Sequence, residues 1–296
     1  MKECVIFSLT DNKTLLNKLA DKLGCTPGSL ETRKFPDGEY YVCVHTDVKN
    51  KTALLVCGLE HPNNKILPLY FAAKTIKELG ADKICLVAPY LSYMRQDKRF
   101  KTGEAVTSIL FAKFLSSFID ILITIDPHLH RIHHLSDIYC IDSVKTLHAT
   151  KNIAEWILTN IPSPFIVGPD EESNQWISEI ANRIHAPYLT AKKIRHNDRE
   201  IEMLLPEINS QNKVPVIVDD IISTGTSMIV LLQQLAARGI KESVCIAVHA
   251  LFEENTCTNL LNAGAKEVIT CNTIQHPSNK IDISDILIEA INELNF

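Results

Sequence analysis

The sequence predicts an α/β protein of two successive halves, each with a mainly parallel sheet flanked by helices. Three observations carry that expectation: short β-branched apolar runs, longer runs with helical apolar spacing between them, and a second round of the same alternation past residue 143. In the first half, Glu3 to Leu9, Tyr41 to Val44, Thr52 to Val56, Lys83 to Val87 and Ile121 to Ile125 read as strands. Thr14 to Leu23, Lys65 to Leu79 and Val106 to Phe118 read as helices. The second half reads as helix Lys145 to Leu158, strands Pro164 to Val167 and Val214 to Val218, helix Met228 to Ala237, and strands Ser243 to Val248 and Glu267 to Thr270. Gly239 offers the helix stop, and the polar stretch Leu189 to Asn212 reads as loop. The domains are therefore expected at 1–143 and 144–296, with ligands at strand C-terminal ends.

At 296 residues, 46% hydrophobic and 22% charged, the chain can bury two ordinary cores. No run of about 18 apolar residues appears, and Met1-Lys2-Glu3 opens a strand-like segment, so neither membrane nor secretion is expected and the protein reads as cytoplasmic. A net charge of −5 gives no electrostatic reason to expect nucleic acid. The nine cysteines lack C-x-x-C spacing, and Cys57, Cys85 and Cys245 lie in apolar runs that predict buried thiols.

The most informative stretch is VPVIVDDIISTGTSM, residues 214–228: an apolar strand, two carboxylates, then a small-residue turn opening a helix. Backbone N–H groups near Thr224 to Ser227 and the helix dipole suit a phosphate monoester. Asp219 and Asp220 repel phosphate, so they suit ribose hydroxyls or a divalent cation instead. An ordinary strand, turn and capped helix also fits these residues taken alone. Neither G-x-x-x-x-G-K-S/T nor G-x-G-x-x-G occurs, so any ATP must be held by other means.

This stretch resembles the phosphoribosyl-diphosphate loop of type I phosphoribosyltransferases and of ribose-phosphate pyrophosphokinases. Five other segments point to the second family, in order: RKFPDGEYYV, APYLSYMRQDKRFKTGEAVTS, TIDPHLHRI, VGPDEES and KKIRHNDREIEM. The resemblance implies two tandem phosphoribosyltransferase-like domains. It also implies transfer of the diphosphoryl group of Mg-ATP to the 1-hydroxyl of ribose 5-phosphate, giving phosphoribosyl diphosphate and AMP.

Residue roles follow from the same resemblance. Phe35, Asp37 and Glu39 of one subunit and Arg95, Gln96 and Asp97 of a neighbour would hold ATP, which implies a homo-oligomer, a dimer or dimer-based hexamer. An aromatic face, a stacking guanidinium and hydrogen-bonding side chains suit a purine nucleotide. FPDGE alone is strong turn chemistry, and RQDKR alone a solvated charge run. His128 and Asp170 are the implied Mg2+ ligands; the cluster of His128, His130, His133 and His134 also admits zinc, which ranks lower. Lys193 and Arg195 are the implied catalytic pair, set against a solvated hairpin as the plainer reading. Ser223, Thr224, Gly225, Thr226 and Ser227 would hold the 5-phosphate, and Asp219 and Asp220 the ribose.

The chain departs from the family pattern at three places: Glu171-Glu172-Ser173 where glycine-rich residues are frequent, DPHLH for DLHA, and TGTS for TGGT. Two alternatives accompany the main reading: a phosphoribosyltransferase that consumes phosphoribosyl diphosphate, and a catalytically weak nucleotide-binding homologue acting as a regulatory subunit.

Overall fold

The structure, a computed structural model, describes residues 3–9, 12–195, 201–206 and 213–294. Its first elements in chain order are β1 (Cys4–Ser8), α1 (Lys13–Leu23), β2 (Thr26–Pro27), β3 (Leu30–Lys34), β4 (Tyr40–Val44), β5 (Thr52–Val56), α2 (Ile66–Glu78), β6 (Lys83–Ala88), α3 (Thr107–Leu115), β7 (Ile121–Ile125) and β8 (Ser143–Leu147). There follow α4 (Thr150–Asn160), β9 (Pro164–Gly168), α5 (Asn174–Ile184), β10 (Tyr188–Thr190), β11 (Lys192–Arg195), β12 (Ile201–Leu204) and β13 (Val214–Ile222). The chain closes with α6 (Thr226–Ala237), β14 (Ser243–Ala250), α7 (Glu254–Asn262), β15 (Ala265–Cys271), β16 (Asn279–Ile281) and α8 (Ser284–Asn292).

Two compact units result: residues 1–147 with 284–296, and residues 148–283. The first unit's sheet runs β2-β1-β5-β6-β7-β8 and the second's β10-β9-β13-β14-β15-β16, with every pairing parallel. The orders are the same once each unit's strands are renumbered. Each unit also carries an antiparallel hairpin at the same chain position, β3–β4 in the first and β11–β12 in the second.

Helices cover sheets whose strands are apolar on both faces, as parallel pairing requires. In the first unit, Val5, Phe7, Leu55, Leu86 and Leu122 pack with Leu69 and Ile76 of α2 and Leu115 of α3. In the second, Val167, Ile217, Cys245 and Ala247 pack with Leu231, Leu232 and Leu235 of α6. Local chemistry starts and stops the helices: the Asn12 side chain accepts a hydrogen bond from Leu15 N at 3.1 Å, and Gly24, at φ +64°, ends α1 in the left-handed region.

The expected helix Lys145 to Leu158 is instead β8 followed by α4. Val144 and Leu147 stand three apart, a spacing that continues smoothly into the helix, but Ser143 to Leu147 pair with Ile121 to Ile125 of β7. That pairing moves the geometric boundary from 143 to 147. Residues 284–296 also return to the first unit, where α8 packs against α1, β7 and β8. The expected loop Leu189 to Asn212 contains β10, β11 and β12 among its described residues, because its polar sequence forms an edge strand and a two-stranded ribbon. Cys57, Cys85 and Cys245 are buried free thiols, and burial pushes Cys57 and Cys245 up to about 12. A disulfide joins Cys4 to Cys25 with 4.9 Å between Cα atoms; 21 residues of separation without a motif left it invisible in the sequence.

Candidate functional site

Each unit presents some of its candidate residues at the C-terminal edge of its parallel sheet and the others on its antiparallel hairpin. In the second unit, β13 runs through Ile222, so Asp219 and Asp220 lie within the strand instead of after it. Asp219 pairs in register with Ala247 of β14, and Asp220 N donates to Asp219 Oδ1 at 3.0 Å. Burial first, then the charges of Asp220 and Asp170, push the Asp219 carboxyl well above the ordinary carboxylate range. A sugar hydroxyl or a cation brought to these carboxylates relieves that repulsion.

The turn after the carboxylates ends at Gly225, the N-cap of α6, with φ +71°. A Cβ there would stand 2.9 Å from Thr256 Cγ2, so glycine meets both a backbone and a space requirement. Glycine also supplies no capping side chain to α6. Thr224 and Thr226 are exposed, with hydroxyl oxygens 2.9 Å apart; Thr226 N reaches Thr224 Oγ1 only at 3.5 Å. Ser223 and Ser227 are half-buried beside them. The result is a hydroxyl-lined helix start of the kind that holds anions.

Asp170 follows β9 and caps a short 3-10 turn at Glu171–Ser173, accepting from Ser173 N at 3.2 Å. Ser173 Oγ donates to Asp170 O at 2.6 Å, and its side chain fills the space a Cβ on Gly168 would need, 2.3 Å away. Glu171 and Glu172 are exposed. Sequence reasoning missed Ser173 as the residue that seats this turn. Lys193 and Arg195 stand on β11 at alternate positions of the β11–β12 ribbon, opposite Met203 and Ile201. The KKIR segment is thus a hairpin strand, the geometry of the plainer reading; residues 196–200 of the segment lie outside the described residues.

In the first unit, the FPDGE turn closes β3–β4. Phe35 N donates to Glu39 O at 2.8 Å, Gly38 N to Phe35 O at 2.9 Å, and Glu39 N to Asp37 Oδ1 at 3.1 Å. Asp37 therefore spends one oxygen on the turn. Phe35 is 40% exposed and meets Tyr41 edge-on at 6.4 Å. The Arg33 guanidinium lies 4.7 Å from the Phe35 centroid and 4.2 Å from that of Tyr41, an aromatic and cation stack that motif reading overlooked.

The RQD segment follows β6, and the histidine segment follows β7. The structure joins them: Arg131 Nη1 donates to both oxygens of Asp97, at 3.0 and 3.2 Å, and only 5% of the Asp97 side chain is exposed. Asp97 is thus a latch between the two loops. Arg95 is exposed and Gln96 half-buried. Among the described residues, no hydrogen bond, ion pair or ring contact links Phe35, Asp37 or Glu39 to Arg95, Gln96 or Asp97. His128 Nε2 lies 2.9 Å from His130 Nε2. Among the described residues, no group of three or more histidine, cysteine or acidic side chains is placed to hold a metal. No helix among them is long and apolar enough to cross a membrane.

Two like-ordered parallel sheets, one carrying paired carboxylates before an uncapped helix start, define a two-unit phosphoribosyltransferase-like protein. Residues 142–285 match the phosphoribosyl transferase domain, and residues 4–118 match the N-terminal domain of ribose phosphate pyrophosphokinase. The chain is 33% identical over 261 residues to the ribose-phosphate pyrophosphokinase of Sulfurisphaera tokodaii, covering 87% of this chain and 88% of that one. It is 35% identical over 249 residues to that of Saccharolobus solfataricus, covering 83% and 84%. The crystal structure of phosphoribosylpyrophosphate synthetase from Mycobacterium smegmatis superposes with a TM-score of 0.85 over 99% of both chains at 20% identity, a likeness of fold. The chain belongs to the ribose-phosphate pyrophosphokinase family.

Proposed function

We propose that the chain transfers the diphosphoryl group of Mg-ATP to the 1-hydroxyl of ribose 5-phosphate, giving 5-phosphoribosyl 1-diphosphate and AMP. The observation that carries this reading is the carboxylate pair Asp219-Asp220 set before the Gly225 helix start, within a chain of this family. Ser223 to Ser227 hold the 5-phosphate through hydroxyls and helix-start amides. Asp219 and Asp220 accept hydrogen bonds from the ribose hydroxyls and orient the 1-hydroxyl for in-line attack on the β-phosphorus. Lys193 and Arg195 bring positive charge to the migrating phosphates. Phe35, Asp37 and Glu39, with Arg95, Gln96 and Asp97, hold the nucleotide.

The donor chemistry of each unit fits a divalent cation on its own terms: Asp170 offers a carboxylate within the field of Asp219 in the second unit, and His128 an imidazole in the first. When bound, magnesium neutralises phosphate charge and polarises the transferred group. The family resemblance of the FPDGE and RQD segments supports a homo-oligomer, dimer or dimer-based hexamer, in which neighbours complete the nucleotide site. On this reading the enzyme works in the cytoplasm, where ATP and ribose 5-phosphate are available.

The test incubates the protein with ATP, Mg2+ and ribose 5-phosphate and measures AMP and phosphoribosyl diphosphate. Equimolar AMP and phosphoribosyl diphosphate are expected. Product formation only from added phosphoribosyl diphosphate and a nucleobase would favour a phosphoribosyltransferase, and nucleotide binding without turnover a regulatory homologue.

A further inference from the structure

We propose that Cys43 is a thiol-exchange site: with His45 as its base and Glu31 holding that base, it forms a mixed disulfide with a small organic disulfide, and the adduct closes the Phe35 face to nucleotide. The second half rests on the reading of Phe35 as a nucleotide contact; the first half does not.

The β3–β4 ribbon sets the constellation. Leu30 and Val44 stand opposite each other in register and pack against the core of the first unit, so Glu31 and Arg33 of β3 share the outward face with Tyr41 and Cys43 of β4. His45 N donates to Ser29 O at 3.0 Å, which carries the same alternation one step past β4 and leaves His45 outward beside Cys43. Glu31 is the direct cross-strand partner of Cys43. Cys43 Sγ lies 3.8 Å from His45 Nδ1, and His45 Nε2 lies 3.5 Å from Glu31 Oε2. Glu31 therefore favours the tautomer with its proton on Nε2, and the Nδ1 lone pair faces the thiol. A hydrogen bond to Cys43, followed by the charges of Cys43 and Glu31, raises the Tyr41 phenol above its ordinary value, so Tyr41 stays a donor toward the sulfur. Nucleophile, base and orienting carboxylate stand in line, the arrangement that activates a thiol.

The other free cysteines lack it. Cys57, Cys85, Cys245 and Cys271 are buried, and burial raises the half-buried Cys257 thiol. Cys140 is exposed, but among the described residues no hydrogen bond or ion pair reaches its sulfur. In the exchange, His45 Nδ1 takes the Cys43 proton and Sγ attacks one sulfur of the incoming disulfide. Its S–S bond breaks as the new one forms, and the other half leaves as a thiolate that takes the proton from His45. The incoming disulfide is the oxidant. The adduct then stands beside Tyr41, whose ring and that of Phe35 share the Arg33 guanidinium at 4.2 and 4.7 Å, so a bulky group there covers the stack.

The test treats native protein with limiting glutathione disulfide, maps the adducts over time by peptide mass spectrometry, and measures ATP binding by calorimetry before and after. Cys43 is expected to react at least about tenfold faster than Cys140, and His45→Gln to slow Cys43 about tenfold with Cys140 unchanged. The adduct should weaken ATP binding at least about tenfold, while Cys43→Ser, treated in the same way, keeps its affinity. Cys140 reacting ahead of Cys43, or a wild-type rate at Cys43 in folded His45→Gln, would overturn the thiol site. Should that variant fail to fold, the wild-type ranking of the two thiols decides alone. Equal ATP affinity with and without the adduct overturns the closure of the Phe35 face. Absence of ATP affinity in untreated protein refutes the nucleotide-site reading, and the closure with it.

Discussion

The third strand of each sheet order leads into the same kind of connection, strand to helix, and the two units use it in opposite ways. After β13, Gly225 starts α6 with no capping side chain and exposed hydroxyls around it. After β5, the loop supplies its own ions: Lys65 Nζ donates to Gly58 O at 2.8 Å and pairs with Glu60, both side chains about one-fifth exposed. One loop leaves positive potential for a ligand, and the other consumes it internally. The hairpins diverge in the same manner, since β3–β4 carries the aromatic FPDGE turn and β11–β12 carries Lys193 and Arg195. A duplicated scaffold thus separates its chemistry by loop content and not by strand order.

The largest effect is expected from the second unit's basic strand. Lys193→Ala and Arg195→Ala are each expected to lower turnover about a hundredfold or more with little change in ribose 5-phosphate affinity, read by steady-state kinetics and calorimetry. Near-wild-type turnover in both would remove them from the chemistry. Next in size, Asp220→Asn should raise the KM for ribose 5-phosphate about ten- to a hundredfold, since a charge-assisted hydrogen bond to a hydroxyl is lost.

Asp219 yields a stability prediction of defined sign. Its folded pKa is raised, so the native state holds the proton more tightly than the unfolded chain, and ligand-free stability falls as pH rises from the ordinary carboxylate range through the folded pKa. Asp219→Asn should raise the melting temperature at neutral pH and flatten this dependence while weakening ribose 5-phosphate binding; an unchanged pH profile of melting would count against the buried repulsion. In the first unit, Lys65→Met should destabilise by about 1–3 kcal/mol, because Glu60 Oε2 is already buried without a partner and the variant strips its other oxygen. Its KM for ribose 5-phosphate should not change. Smallest, Arg131→Ala should release Asp97 and raise the KM for ATP a few-fold without altering that for ribose 5-phosphate.

Much of this was legible in the chain. Thr52 to Val56 and Ile121 to Ile125 are continuous apolar runs, which read as buried parallel strands whatever their partners. The residues 214–228 pattern likewise announced strand, carboxylates, turn and helix, though β13 runs four residues beyond the expected end. Lys145 to Leu147 was misread as helix because β8, five residues of mixed character, acquires a strand identity only when β7 lies beside it.

The order of strands and helices and the residue chemistry of the loops are local properties, set by side-chain period and turn composition, and can be read without knowing the fold. Tertiary structure alone decided which distant groups meet: Asp97 with Arg131, Cys4 with Cys25, Asp170 with Asp219, and α8 with the first unit. Such meetings depend on the register and packing of segments tens of residues apart, and no local pattern encodes the distance between them.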